Sequence, residues 1–103
     1  MQTITNITSD YKQKLLITIY NQEQLTIKLE YSISNYQWIM SLEYLDKIIN
    51  GIRVCLNSNL LYQWKNILPF GIACLSFNNS EPYLVEDFLS GNVVLYILDN
   101  TEI

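Results

Sequence analysis

Residues 25–32 read LTIKLEYS, and every second residue of this stretch is apolar. Leu25, Ile27, Leu29 and Tyr31 alternate with polar or charged residues. Because successive side chains of a β-strand point to opposite faces, this period of two predicts a strand with one buried and one solvated face. The KLLITIYN segment at residues 14–21 alternates in the same way, and the short NQEQ link at 21–24 favours an antiparallel hairpin.

More strands are predicted after this hairpin. In YQWIMSLEYL, residues 36–45, the apolar face carries Trp38, Met40, Leu42 and Tyr44. Asn50-Gly51 predicts a turn because both residue types tolerate positive φ, and the alternative is a loop that begins as early as Asp46. The remaining strand candidates are residues 2–8, 52–56, 72–77 and 93–99.

The alternation stops at NSNLLYQWKN, residues 57–66. Its Asn and Ser residues suit a turn and a cap, and Leu60, Leu61 and Trp64 have nearly helical spacing. We expect one helical or 3-10 turn that plugs an end of the sheet, and a turn-rich connection at residues 85–92. The sequence predicts one all-β domain over residues 1–103, a small barrel or a sandwich of six or seven antiparallel strands. A barrel is favoured because closure removes exposed strand edges.

The composition excludes several classes of protein. Half of the 103 residues are hydrophobic and 16% are charged, which is typical of a folded domain. No apolar run approaches the ~20 residues needed to span a bilayer, and the first residues lack a signal-peptide pattern, so we expect no membrane insertion and synthesis in a cytoplasm. Six scattered basic residues and a formal net charge of −4 argue against nucleic acid as a partner.

The sequence offers no convincing catalytic or metal site. The chain has no His, so a serine or cysteine nucleophile has no imidazole base, and its three Gly do not form a phosphate loop. The acidic pairs Glu43 with Asp46 and Glu86 with Asp87 are better explained as solvated residues or a turn cap. Cys55 and Cys74 suit buried apolar positions, and they form a disulfide only if their strands are neighbours. We therefore expect no enzyme activity, no cofactor and no metal.

The last predicted strand, residues 93–98, is apolar on both faces. Val93, Leu95 and Ile97 share one face, and Val94, Tyr96 and Leu98 share the other. Two interpretations remain open: the second face is covered by this chain, or it is covered by another protein.

Several short motifs follow one another in a recognisable order. They are MQTI at residues 1–4, GIRV at 51–54, LL at 60–61, LPFG at 68–71, EP at 81–82, DF at 87–88 and VLYILD at 94–99. In this order and spacing the chain resembles the phage baseplate plug family, small structural proteins of contractile-tailed bacteriophages. The resemblance implies an OB-like barrel in the tail baseplate of the virion, made in the host bacterial cytoplasm. It would pack between hub or tube proteins and the puncturing device, and a symmetric multi-copy assembly is compatible with that role.

Such a role depends on surface for other proteins. Tyr and Trp favour interfaces because they give a large contact area at low entropic cost, and this chain has eight Tyr and two Trp. Trp38 and Trp64 are expected in the core. The protein-interface candidates are Tyr20, Tyr36, Tyr62, Tyr83, Val94, Tyr96 and Leu98. The alternative function is an OB-type module that binds single-stranded nucleic acid or oligosaccharide, with Tyr20, Tyr36 and Tyr62 as a stacking platform.

Overall fold

Two antiparallel sheets form the molecule. The computed structural model describes residues 2–5, 7–19, 23–77, 81–82 and 84–99, and within them seven strands are present. The strands are β1 (Gln2–Thr3), β2 (Lys12–Thr18), β3 (Gln24–Ser32), β4 (Gln37–Tyr44), β5 (Lys47–Arg53), β6 (Gly71–Ser76) and β7 (Val93–Leu98). One sheet has the order β2-β3-β4-β5 and the other the order β1-β7-β6. The all-β prediction is confirmed.

The four-stranded sheet follows the predicted alternation. Strand β3 pairs with β2 and with β4 in unbroken antiparallel register, so that Ile27 lies opposite both Leu15 and Leu42. The apolar residues of β3 and β4 face the core, where they are buried almost completely: Leu25, Ile27, Leu29, Tyr31, Trp38, Met40, Leu42 and Tyr44. The predicted antiparallel hairpin between β2 and β3 is therefore confirmed.

The turn predicted at Asn50-Gly51 is wrong. The chain reverses at Leu45 and Asp46, close to the alternative loop start, and β5 continues through Asn50 and Gly51. These two residues lie opposite the single residue Ser41, because Ile49 pairs with Leu42 and Ile52 pairs with Met40. Gly51 has a φ of +74°, so its positive φ serves a β-bulge instead of a turn.

The three-stranded sheet has β7 at its centre. Val93, Leu95 and Ile97 point from β7 into the core and are buried. On the far side of β6, an isolated bridge joins Asn57 to Cys74. Beyond that bridge the chain turns into a 3-10 helix (Tyr62–Trp64), so no continuous ladder links β5 to β6. The sheets consequently do not close into a barrel; the barrel preference is wrong, and the sandwich alternative describes the structure.

Each end of the sandwich is filled by aromatic and aliphatic side chains. At one end the predicted helical turn is present as the 3-10 helix, with Leu61 buried before it and the Phe70 ring 5.1 Å from the Tyr44 ring. At the other end Trp38 is buried as expected, and its ring lies 5.6 Å from that of Phe88. Trp64 is only partly buried against the core.

The connection before β7 contains a short helix, α1 (Asp87–Ser90), where only turns were expected. The Asp87 side chain is buried, and its Oδ2 accepts a hydrogen bond of 2.9 Å from the Leu84 N–H, which confirms its role as a turn cap. The helix ends at Gly91, which has a φ of +85° and a left-handed conformation that glycine adopts without steric cost. This connection places Phe88 over Trp38 and positions the start of β7.

Candidate interaction surface

The interface candidates lie on different elements. Val94 and Tyr96 are half-buried on β7, whereas Leu98 at the end of the same strand is only 5% exposed. Tyr36 is exposed in the turn between β3 and β4, and Tyr62 is exposed in the 3-10 helix. The candidates Tyr20 and Tyr83 lie outside the described residues.

Val94 and Tyr96 belong to an apolar patch on the outer face of the three-stranded sheet. Leu75 of β6 lies directly opposite Val94 and is 45% exposed. Phe77 follows β6, donates its backbone N–H to the Asn92 carbonyl over 3.1 Å, and is 82% exposed. A shallow groove of about 210 Å³ runs between these side chains. Leu75, Phe77, Val94 and Tyr96 are called the outer apolar patch below.

The outer face of β7 was expected to be covered either by this chain or by another protein, and the two ends of the strand differ in this respect. At the Leu98 end the chain covers its own sheet: Leu98 pairs with Gly71, and the Asn59 side chain packs directly on Gly71. At the Val94 end nothing in the described part of the chain covers Leu75 and Phe77 fully. Within the described part of the chain, the outer side of β7 is therefore covered at the Leu98 end and only partly covered at the Val94 end.

The outer face of the four-stranded sheet has a different character. It carries the ion pair between Lys28 Nζ and Glu43 Oε1 at 3.3 Å, and a longer pair between Lys12 and Glu30 at 3.9 Å. Exposed ion pairs of this kind contribute little to stability, but they keep a face solvated. This face therefore mixes ion pairs with two exposed apolar side chains, Leu16 and Ile48, whereas the outer apolar patch contains no charged residue.

Tyr36 and Tyr62 do not form a common stacking platform. Tyr36 lies at the β3–β4 turn, whereas the 3-10 helix packs its Trp64 beside Ile49, near the opposite end of β4. Tyr62 is also engaged by Lys65, whose Nζ donates to the phenol oxygen over 3.0 Å and lies 4.2 Å from the ring centroid. This hydrogen bond lowers the pKa of Tyr62.

The described residues contain no arrangement suited to nucleophilic catalysis or metal binding. Cys74 is fully buried, and desolvation raises the pKa of its thiol to about 12, so the reactive thiolate is disfavoured at neutral pH. Cys55 is partly buried, and both cysteines are free thiols. No group of three or more His, Cys, Asp or Glu within the described ranges could hold a metal ion. None of the helices there is long and apolar enough to cross a membrane.

Leu75 and Phe77 were missed by the sequence analysis, although a signal for them was present. In IACLSF, residues 72–77, the period of two places Ala73, Leu75 and Phe77 on one face and Ile72 and Cys74 on the other. Both faces are apolar, as in the last strand, so the same reasoning applied to that strand would have identified them. Only the pairing of β6 with β7 shows that Leu75 and Phe77 lie on the solvent-exposed face and Ile72 and Cys74 on the core face.

A comparison with protein-family models gives a match over nearly the whole chain. The model described as "Cyanophage baseplate Pam3 plug gp18" matches residues 1–101. The matched range includes all the strands of both sheets and every residue of the outer apolar patch. No curated protein matches the chain.

Proposed function

The chain belongs to the cyanophage baseplate plug family, and we propose that it is a non-enzymatic part of a phage tail baseplate that packs between hub or tube proteins and the puncturing device. The protein would be made in the cytoplasm of the host bacterium and then built into the virion. The observation that carries this proposal is the outer apolar patch, because a part that fills space between other proteins must offer them surface that prefers to leave water.

The patch has the chemistry of the centre of a protein interface. An 82% exposed Phe leaves most of a large aromatic side chain in water, and burying it releases free energy at roughly 25 cal/mol per Å². Tyr96 adds an aromatic ring with a polar tip, a combination that interfaces favour. The outer face of the other sheet also exposes Leu16 and Ile48, but Glu43 lies directly opposite Ile48 and Lys28 shares that face, so the uncharged patch is the preferred docking side.

The proposal is tested with the double variant Leu75→Ser/Phe77→Ser. Both side chains are exposed, so their removal should change the free energy of unfolding by only about 0.5 kcal/mol each. Loss of an aromatic anchor at an interface centre costs 2 kcal/mol or more, so the dissociation constant for the partner should rise about 30-fold or more. The measurement is complex formation with purified hub and tube proteins of the same phage, by size-exclusion chromatography with light scattering.

Ile48→Ser/Ile67→Ser is the matched control, since it also removes two exposed apolar side chains, outside the patch. Wild type and this control should bind a hub or tube protein equally, and the patch variant should not. Absence of a complex with any of these proteins, or equal binding by the patch variant, would contradict the proposal.

A further inference from the structure

Strand β2 is an edge of the four-stranded sheet. It pairs with β3 on one side, and among the described residues no strand lies on its other side; the Gln2 side chain reaches its last residue, where Nε2 donates to the Thr18 carbonyl over 3.3 Å. The register of β2 with β3 is unbroken over all seven residues, without a bulge or a proline. Edge strands of this kind present a row of backbone donors and acceptors that can accept another strand.

The hydrogen-bond pattern shows which backbone groups are open. Tyr31 donates its N–H to the Tyr11 carbonyl, and Ile19 donates to the Glu23 carbonyl, so the odd-numbered residues of β2 make the bonds to β3. In an antiparallel pair these residues alternate with residues that point away from the partner strand. Lys12, Lys14 and Leu16 therefore direct their N–H and C=O groups to the free edge, and Leu16 is 66% exposed.

A like-charge pair lies along this edge. Lys14 faces Lys28 directly, and the pattern above makes theirs a non-hydrogen-bonded pair, in which side chains are closest. Like charges directly opposite each other are destabilising. Lys28 is neutralised by Glu43, and Lys12 by Glu30, but Lys14 has no acidic partner among the residues that the structure describes.

The outer face next to this edge is basic as a whole. Close to β2, Lys12, Lys14 and Lys28 share it with Glu30 and Glu43, and the fourth basic side chain, Arg53, lies on β5 at the opposite edge of the sheet. The chain itself has a formal net charge of −4, so the charge of this face is opposite to that of the molecule. A shallow groove of about 380 Å³ runs along Lys12, Lys14 and Lys28.

We propose that β2 pairs with an extended acidic segment of a neighbouring protein, which adds a fifth strand to the four-stranded sheet. The open backbone groups of Lys12, Lys14 and Leu16 supply hydrogen bonds to the added strand, and a carboxylate on that strand pairs with Lys14, which lacks an acidic partner among the described residues. This surface is separate from the outer apolar patch, so the inference goes beyond the proposed function.

Two other occupants fit the charges less well. A second copy of this chain paired through β2 would bring a second set of lysines to the same face and leave Lys14 without a carboxylate. A nucleic acid would meet Glu30 and Glu43 on that face, and its phosphates would be repelled by them. An acidic polypeptide avoids both conflicts, because a strand added beside β2 brings its carboxylates next to Lys14, while Glu30 and Glu43 lie one and two strands further in, on β3 and β4.

The first test is amide hydrogen exchange in the purified protein, followed by NMR. The amides of Lys12, Lys14 and Leu16 should exchange rapidly, whereas those of Leu15 and Ile17, bonded to β3, should be protected. Addition of a short peptide of alternating threonine and glutamate should slow exchange at Lys12, Lys14 and Leu16. Protection of these three amides before peptide is added, or no change at millimolar peptide, would overturn the proposal.

Two pairs of variants separate strand addition from charge attraction. Leu16→Pro removes an outward N–H without a change of charge and is compatible with an edge strand, and Leu16→Thr is its control for loss of the Leu side chain. Lys14→Glu reverses the unpaired charge, and Lys65→Glu makes the same change away from the sheet. Leu16→Pro and Lys14→Glu should each weaken peptide binding about tenfold, and both controls should bind like wild type.

The remaining outcomes distinguish the occupants. Three results would each overturn the proposal. The first is a threonine–lysine peptide that binds as well as the acidic one, and the second is preferential binding of an oligothymidylate. The third is dimerisation through β2, seen by light scattering. The Leu75→Ser/Phe77→Ser variant should retain peptide binding, since its substitutions lie on the other sheet. Failure of the outer apolar patch to bind hub or tube proteins would therefore leave this result unaffected.

Discussion

The contact between Asn59 and Gly71 predicts a strong energetic coupling. Asn59 Oδ1 accepts hydrogen bonds from the backbone N–H of Leu61 at 2.9 Å and of Ile72 at 3.2 Å. It thereby fastens the segment before the 3-10 helix to β6. A Cβ atom placed on Gly71 would lie 2.6 Å from Asn59 Oδ1, closer than real Cβ contacts. Gly71→Ala must therefore displace the Asn59 side chain.

The size of each effect follows from these contacts. Asn59→Ala leaves two buried N–H groups without an acceptor, at about 1–3 kcal/mol each. The same change also removes the buried Asn59 Nδ2, which has no hydrogen-bond partner within the described residues. Removing this unsatisfied group stabilises the fold by about as much as one orphaned N–H group destabilises it. The net destabilisation should be about 1–3 kcal/mol. Gly71→Ala should lose the same hydrogen bonds and add about 1–3 kcal/mol of strain from overpacking.

A double-mutant cycle measured by urea denaturation tests this reasoning. In the Asn59→Ala background the side chain that Gly71→Ala would strike is gone, so the second substitution should cost little. The double variant should then be more stable than the sum of the two single effects by about the whole cost of Gly71→Ala, about 2–6 kcal/mol. A parallel cycle of Gly71→Ala with Lys65→Ala should be additive. If the Asn59 cycle is additive to within about 0.5 kcal/mol, the contact does not operate as described.

Three further predictions concern the charge pair, the bulge and the buried thiol. Lys14→Glu should stabilise the free protein by about 0.2–1 kcal/mol, because an opposite-charge pair replaces the like-charge pair with Lys28; no rise in the thermal midpoint at low salt would contradict this. Gly51→Ala should destabilise the fold by about 1–2 kcal/mol, since a side chain strains a φ of +74°, and Gly51→Asn should cost less in the same urea titration. Burial raises the pKa of Cys74 from 9.0 to about 12, so the stability linked to its neutral thiol is present below pH 9 and is lost as pH rises toward 12. Cys74→Ala should flatten the pH dependence of unfolding in that range, and an unchanged slope would refute the assignment.

The local order of the strands could be predicted from the sequence. Alternation in residues 25–32 and 36–45 depends only on the pleat of a strand, so it identified the buried faces of β3 and β4 before any partner was known. The 3-10 helix at Tyr62–Trp64 could also be predicted, because its signals are local: cap residues precede it, and the alternation of apolar and polar residues stops there. The order of short motifs also identified the family, which the comparison confirmed.

Local signals failed where a distant strand decided the outcome. Asn50-Gly51 indicates positive φ, but positive φ serves a turn or a bulge equally well, and the pairing of Ile49 and Ile52 with β4 made it a bulge. The helix at Asp87–Ser90 was likewise not foreseen, since so short a helix depends on Phe88 packing against Trp38.

The sequence by itself determined that this protein is all-β, which residues of its longest strands face inward, and which family it resembles, because those properties follow from the order of neighbouring side chains. The tertiary structure alone decided that the sheets form an open sandwich and not a barrel, that Leu98 is covered while Phe77 is exposed, and that Lys14 meets Lys28. These outcomes depend on which distant segments lie side by side, and pairing across the chain is set by the packing of the whole core.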